Sequence, residues 1–315
     1  MERLKKGINP YHDISNILTL KQFKTEQGVL IFSEPRSGST WLMEILGKMI
    51  GDAVVNWEPF HPGRGVVPKY LEWSFRPHFK DKNEFEQHYE LINKILSLSV
   101  FTPWTTQKID PLKAAKANLV ITKFVRANLI LPWITDRFNL KYKPIYLVRH
   151  PISTCLSQLK TFKNLKLAFN RPTLINHEIF NEHIEFLKKL ETELEYRIAL
   201  WCIIHNKVIE GKVNLKNISL VYYEDLLKNP RTEINKLIEN SGLDKLITSN
   251  IDMVNFKLPS STVYMNDLEA NVSKQINKHL EFIDKETKER IQGVLDYFSI
   301  NIYNAYSPNP IKHGS

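Results

Sequence analysis

The stretch Val29-Leu30-Ile31-Phe32-Ser33-Glu34-Pro35-Arg36-Ser37-Gly38-Ser39-Thr40-Trp41-Leu42 decides the fold. Its first four residues are uninterrupted apolar side chains, mostly β-branched or aromatic, the pattern of a strand buried on both faces. Its last residues open a helical pattern in which Trp41, Ile45 and Met49, with Leu42, Leu46 and Ile50, recur at intervals of four and lay one apolar stripe along a helix. Between them sits a loop whose glycine, Gly38, permits a tight turn. Ser39 and Thr40 offer hydroxyls there, and the first turn of the helix offers N–H groups with no intrahelical partner. Those N–H groups and the helix dipole favour an anion, and Arg36 adds a planar cationic fork suited to phosphate or sulfate. An ordinary helix cap beside an incidental arginine is the competing reading. The loop is not G-x-x-x-x-G-K-[ST], because no lysine follows Gly38, so a kinase of the P-loop type is disfavoured.

Three further runs repeat the buried-strand pattern: Leu119 to Ile121, Ile145 to Val148 and Ile218 to Tyr222. Helical patterns alternate with them. Leu187, Leu190, Leu194, Ile198, Trp201 and His205 form a stripe expected to end near Gly211. Asn229-Pro230 reads as a cap followed by proline in the first turn, with Ile234, Leu237 and Ile238 buried and Gly242 as the stop. Asp284 is expected to cap a final helix carrying Ile291, Leu295 and Phe298. The expectation is an α/β fold, a central parallel sheet flanked by helices, with ligands bound beyond the carboxyl ends of the strands. No linker divides residues 1–315, so one domain is expected, with its core over about 28–303.

Composition narrows the classes. The chain has 315 residues, of which 43% are hydrophobic and 24% charged, enough for a core and unlike a disordered chain. Its 43 basic and 34 acidic residues leave a net charge of +9, which favours anionic partners. The basic residues are dispersed, apart from short clusters such as Lys141 to Lys143 and Lys188-Lys189. That argues for a solvated surface and against nucleic acid as a partner. Two cysteines, Cys155 and Cys202, form no C-x-x-C pair, and a reducing compartment is the natural setting. No apolar run is long enough to span a bilayer, and none of signal length follows the basic start Met1 to Lys6. A cytoplasmic location is expected. The histidines are scattered and no metal is expected.

A second strand, turn and helix runs Pro144-Ile145-Tyr146-Leu147-Val148-Arg149-His150-Pro151, and Ser157 follows Arg149 by eight residues. An arginine at a strand end and a serine on the next helix can close on one phosphate, although a surface arginine with a helix-facing serine would look the same. A third segment, Leu220-Val221-Tyr222-Tyr223-Glu224-Asp225-Leu226-Leu227-Lys228-Asn229-Pro230, again runs from strand to helix.

Together these segments resemble the sulfotransferase family that uses 3′-phosphoadenosine 5′-phosphosulfate, in motif style most like carbohydrate 6-O-type and bacterial members. The resemblance runs from about Gly28 to Tyr303. It implies a P-loop-like sulfotransferase fold, with Arg36, Ser37, Gly38, Ser39, Thr40 and Trp41 holding the 5′-phosphate and sulfate and Arg149 and Ser157 holding the 3′-phosphate. It also implies that Tyr223 packs on the adenine; core packing is the alternative role for that ring. Glu224 and Asp225 read as orienting neighbouring backbone. The arginine-lysine-glycine loop that cytosolic members carry late in the chain is absent, which leaves C-terminal cofactor contacts open.

The general base is less direct. Cytosolic members carry a histidine in the segment that here reads Ile121-Thr122-Lys123-Phe124-Val125-Arg126, and this one has none. Carbohydrate 6-O-type members carry glutamate-proline with a nearby histidine where this chain has Asn56-Trp57-Glu58-Pro59-Phe60-His61. The resemblance therefore points to Glu58 as base, flanked by Trp57 and Phe60, with His61 as the runner-up and a structural ion pair with an arginine as Glu58's alternative role. Arg36 would stabilise charge developing in an in-line displacement. Lys123 and Arg126 are candidate acceptor contacts. The acceptor would be a hydroxyl on a glycan or small molecule, with its pocket expected within Gly63 to Thr106, including Trp73 and Trp104. A P-loop-type nucleotide kinase and a non-catalytic nucleotide-binding protein are the rival functions. Neither the acceptor's identity nor the oligomeric state carries a sequence signature.

Overall fold

The computed structural model describes residues 10–67, 76–162, 178–209, 215–262, 269 and 271–311. Five strands form one sheet: β1 (Val29–Ser33), β2 (Ala53–Trp57), β3 (Leu119–Phe124), β4 (Ile145–Val148) and β5 (Ser219–Tyr222). Their order is β2-β3-β1-β4-β5 and every pairing is parallel. The four strands expected from the sequence are all present. β3 runs three residues beyond its expected end, so Lys123 lies on the strand and pairs in register with Trp57 of β2 and Ile31 of β1. β2 has no counterpart among the expectations. Its apolar run is broken by Asn56, which is fully buried because its amide donates to the Ile95 carbonyl oxygen at 2.8 Å.

Successive side chains of each strand face opposite sides, and the helices cover both. On one side Leu30, Phe32, Tyr146 and Val148 pack among residues of α2 (Lys82–Leu96), α3 (Leu131–Arg137), α5 (Glu193–Ile209) and α9 (Lys285–Tyr297). Phe32 and Phe124 stack there with centroids 4.7 Å apart. On the other side Val29, Ile31, Ile145, Leu147 and Val221 pack against α1 (Ser39–Met49) and α7 (Pro230–Ser241). The expected stripe of α1 is buried as read: Trp41, Leu42, Ile45, Leu46 and Met49 all face the sheet. Three helices complete the frame of the site: α4 (Pro151–Thr161), α6 (Tyr223–Lys228) and α8 (Val272–Asn277).

One helix boundary and one cap differ from expectation. The long stripe begins later than Leu187, which ends a separate short turn, Ile184–Leu187. The break comes at Thr192: its hydroxyl accepts from the Glu195 N–H at 3.2 Å, while the Glu195 carboxylate accepts from the N–H groups of Glu191 and Thr192. That reciprocal cap starts α5 and separates it from the preceding turn. Asn229 occupies the cap position before Pro230, but its side chain makes no capping bond. Asp284 caps α9 as expected, accepting from Thr287 N–H at 2.7 Å. Gly211, the expected end of the long helix, lies outside the described residues.

Gly242 ends α7 with φ of 73°, and nothing stands within 4 Å of where its Cβ would be. Its requirement is therefore conformational rather than steric. Gly242→Ala is expected to lower stability by about 1–2 kcal/mol, the cost of a left-handed non-glycine residue. Urea unfolding checks this, and an unchanged midpoint would show that the helix stop tolerates a side chain.

Candidate active site

The carboxyl ends of all five strands share one edge of the sheet, and the sequence-predicted residues follow those ends directly. Glu58 follows β2, Lys123 lies near the end of β3 with Arg126 just beyond it, Arg36 follows β1, Arg149 follows β4 and Tyr223 follows β5. The strand order therefore lines up Glu58, Lys123, Arg36, Arg149 and Tyr223 along that edge.

The loop after β1 is wound tightly. Gly38 has φ of 94° and serves as the cap of α1. A Cβ there would meet the Cδ2 and Cε2 atoms of Tyr223 at 2.5 Å, so glycine lets the loop approach that edge of the ring closely. Arg36 is itself left-handed, with φ of 72°. A non-glycine residue in that region is strained and persists only where surrounding contacts hold it. Those contacts are visible: Arg149 Nη1 donates to the Arg36 carbonyl oxygen at 2.8 Å, and Gln158 Nε2 donates to that of Pro35 at 3.0 Å. The Arg36 side chain turns toward α4, where Nε donates to Ser157 Oγ at 3.2 Å. The guanidinium of Arg149 lies 4.7 Å from the centroid of the Tyr223 ring. Arg36, Arg149, Ser157 and Tyr223 thus form one contiguous group. Arg149 thus meets Arg36 at its backbone, and the Ser157 hydroxyl accepts from Arg36.

The first N–H groups of α1 lack intrahelical partners and point into this loop. Ser37 is buried and its Oγ makes no hydrogen bond. An orphaned hydroxyl, open helix N–H groups and two arginines make a cradle with the donors that a phosphosulfate or phosphate requires. The phosphoadenosine donor therefore fits the residues present.

The second group lies on the β2–β3 side. Lys123 is 1% exposed. Its Nζ donates to Glu58 Oε1 at 2.6 Å and to Thr40 Oγ1 at 3.2 Å, and it rests 3.7 Å from the centroid of the Trp57 ring. Burial pushes its pKa down, with the adjacent Glu58 carboxylate opposing that shift. Arg126 Nη1 stands 3.7 Å from Glu58 Oε2. Burial, with Arg76 nearby, brings Arg126 down to about 10. Glu58 is thus held by two cations, including the arginine pairing given as its alternative role, and the Trp57 ring lies against Lys123. Glu58 also has a positive φ, 42°, and its N–H donates to the Lys123 carbonyl oxygen at 3.0 Å. Lys123 and Arg126, expected as acceptor contacts, direct their charged ends to Glu58.

His61 stands near the pair. Its Nδ1 lies 2.7 Å from the Pro62 carbonyl oxygen, and its ring centroid is 4.6 Å from that of Trp104. With Nδ1 as the donor, Nε2 is the ring's acceptor. Burial and the charge of Arg126 lower its pKa, so the neutral form prevails near pH 7. Arg64 lies 5.1 Å from the Trp104 ring. Trp73 lies outside the described residues.

Sequence reasoning missed the network behind the loop. Glu34 is 3% exposed and accepts from Arg76 Nη2 at 2.5 Å and from Asn128 Nδ2 at 2.7 Å. Arg76 Nη1 also donates to the Val125 carbonyl oxygen at 2.5 Å. Burial raises the pKa of Glu34, and Arg76 opposes the rise. Its signal was present: a carboxylate placed directly between a buried strand and a tight loop needs a buried partner. Glu224 plays the orienting role expected of it, accepting from the His150 N–H at 2.9 Å and from Tyr303 OH at 2.7 Å.

The sequence profile of the sulfotransferase domain matches residues 26–266. No curated protein sequence is matched. Among solved structures, the chain is similar to a mouse sulfotransferase, SULT7A1, complexed with PAP. The two share 16% identity over 93% of this chain and 91% of that one, with a TM-score of 0.43. It is also similar to the sulfotransferase domain of the curacin biosynthetic pathway, at 16% identity over 86% and 97% of the two chains, TM-score 0.43. A third is the sulfotransferase domain of the olefin synthase of Synechococcus PCC 7002, at 16% identity over 90% and 100%, TM-score 0.39.

The coupling of Lys123 to Glu58 is open to measurement. Removing one partner of a buried pair strands the other. Lys123→Met is expected to cost about 3 kcal/mol in urea unfolding, and Lys123→Met with Glu58→Gln is expected to cost less than the single change. A double variant no more stable than Lys123→Met would show that the two groups are not coupled.

Proposed function

Because the chain belongs to the sulfotransferase family, we propose that it transfers a sulfuryl group from 3′-phosphoadenosine 5′-phosphosulfate to an acceptor hydroxyl by in-line displacement. The donor supplies the activated sulfuryl group. Arg36, the hydroxyls of Ser37, Ser39 and Thr40, and the N–H groups through Trp41 hold its 5′-phosphosulfate. Arg149 and Ser157 hold the 3′-phosphate. Tyr223, 4.7 Å from Arg149 at its centroid and with Gly38 at its edge, offers the adenine a flat partner.

One observation carries this reading. A single buried ammonium, Lys123 Nζ, bridges the hydroxyl of Thr40 in the phosphate loop and the carboxylate of Glu58. The candidate proton acceptor is thereby held one side chain away from the sulfuryl cradle. Glu58 takes the acceptor proton as the new S–O bond forms. Lys123 and Arg36 stabilise the charge that develops on the leaving and transferred oxygens, a positioning and electrostatic role. His61, neutral and adjacent, is the alternative base.

The loop also departs from that of a P-loop kinase, since no lysine follows Gly38. The transfer is proposed to run without a metal, since a sulfuryl group carries less charge to neutralise than a phosphoryl group.

The acceptor is proposed to approach on the Glu58 side, where Trp104, with His61 and Arg64 against it, offers an aromatic platform that suits a sugar ring. The setting is proposed to be cytoplasmic: both cysteines are buried and free, and burial pushes both thiols above their usual range. Among the described residues, no helix is long and apolar enough to cross a membrane.

Two experiments test the proposal. Adenosine 3′,5′-bisphosphate is expected to stabilise the protein by roughly 2.7 kcal/mol at a hundredfold excess over its Kd. ATP with magnesium is not expected to, and Arg149→Ala is expected to abolish the effect. Stabilisation by ATP alone, or an Arg149→Ala protein that binds normally, would remove the donor assignment. Screening acceptors with labelled donor then allows turnover to be measured. Glu58→Gln is expected to keep donor affinity and reduce turnover by about 10²–10⁴. Near-native turnover would transfer the base role to His61.

A further inference from the structure

Beneath the phosphate loop, one guanidinium reaches two strand ends. Phe79 is buried against Phe85 of α2, with ring centroids 5.3 Å apart, and anchors the chain three residues after Arg76. Arg76, itself buried, donates from Nη2 to Glu34 Oε2 at 2.5 Å and from Nη1 to the Val125 carbonyl oxygen at 2.5 Å. Glu34 is where the chain leaves β1 for the phosphate loop, and Val125 lies between Lys123 and Arg126 as the chain leaves β3. The other carboxylate oxygen of Glu34 accepts from Asn128 Nδ2 at 2.7 Å, and that amide also donates to the Ser33 carbonyl oxygen at 3.1 Å. The carbonyl oxygen of Glu34 accepts from the Ser37 N–H at 3.2 Å, closing the turn that carries Pro35 and Arg36.

Both oxygens of the Glu34 carboxylate are thus taken by the protein, and the group is buried, so its place is behind the ligand cleft. A buried ion pair adds little stability over well-packed apolar residues of the same volume. What this pair adds is direction. The planar fork of an arginine donates along two fixed lines at once, which a lysine or a hydrocarbon does not. Here those lines end on the loop after β1 and on the loop after β3. The turn they hold leads straight into the left-handed backbone of Arg36 and the unbonded hydroxyl of Ser37. A strained loop keeps its form only where the contacts around it over-determine it. Arg149 and Gln158 supply those contacts on one side of the turn, and Arg76 and Asn128 supply them at Glu34.

We propose that Arg76 is a positioning residue for the phosphate loop: through Glu34 it fixes the turn from Glu34 to Ser37 in the form that receives the donor's 5′-phosphosulfate, and through Val125 it ties that turn to the strand end carrying Lys123 and Arg126. Arg76 touches neither the donor nor the reacting atoms and acts through the backbone that does. This role rests on the donor assignment made above.

The test pairs urea unfolding of the full chain with isothermal titration of two nucleotides: adenosine 3′,5′-bisphosphate, and adenosine 3′-monophosphate, which lacks the phosphate held by the loop. Arg76→Met strands the buried charge of Glu34 and is expected to lower the urea midpoint. Arg76→Met with Glu34→Gln leaves no buried charge unpaired and is expected to recover most of that midpoint. The recovered double variant is nevertheless expected to bind the bisphosphate roughly tenfold more weakly, the scale of a change made away from the ligand, and the monophosphate as the native protein does. Arg76→Lys keeps the charge but not the fork. It is expected to show the same selectivity at a smaller size, and it carries the comparison if the double variant does not fold. Native affinity for the bisphosphate in the recovered variant, or equal losses for both nucleotides, would mark Arg76 as merely structural and overturn the proposal. The donor assignment is read separately, in the native protein. A native protein that binds neither nucleotide, or both alike, would overturn that assignment and the role of Arg76 with it.

Discussion

A lysine with 1% exposure is the constraint around which the site is arranged. Burying an ammonium is costly unless its charge is answered and its protons are bonded. Lys123 meets that requirement with a carboxylate from the end of β2, a hydroxyl from the start of α1 and the face of Trp57. Because its backbone is held in the sheet between β1 and β2, the ammonium ties together the loops after two different strands. The left-handed backbone at Glu58 accompanies this arrangement, its N–H donating to the Lys123 carbonyl oxygen, while the left-handed backbone at Arg36 is held separately by Arg149 and Gln158.

The rest of the edge repeats this logic with other groups. Glu34 answers Arg76 and Asn128 beneath the phosphate loop. Glu224 fixes the backbone N–H that follows Arg149, and ties it to Tyr303 near the C-terminus. Glu34 and Glu224 are thus buried directly beside the loops that carry Arg36 and Arg149. The loops are preorganised from behind, which keeps donors in place without reorganisation when charge develops in front of them.

Much of this was legible in the sequence because the phosphate loop, Arg149 with Ser157, and the Tyr223 segment are each local: a strand, a turn and a helix read in one pass. Apolar continuity found β1, β3, β4 and β5 for the same reason. It failed at β2, where Asn56 is buried through a bond to Ile95, and at the end of β3, where Lys123 is buried through Glu58 and Thr40. Both exceptions are polar residues whose burial depends on partners remote in sequence, which a local pattern does not contain. Arg76 and Asn128 escaped for that reason too. The surroundings of Glu58 were legible only in part, because its flanking aromatics, Trp57 and Phe60, are neighbours in sequence while its ion-pair partners, Lys123 and Arg126, are neighbours in space.

In the proposed complex one edge of the sheet holds a doubly phosphorylated adenosine between the loop after β1 and the loop after β4, with Glu58 beside it. The most direct measurement is a crystal structure of the protein with adenosine 3′,5′-bisphosphate bound. Electron density is expected for one phosphate against the N–H groups of residues 37–41 and for the other between Arg149 and Ser157, with the Lys123–Glu58 contact retained. A nucleotide bound elsewhere, or Arg36 and Arg149 turned away from it, would refute this arrangement.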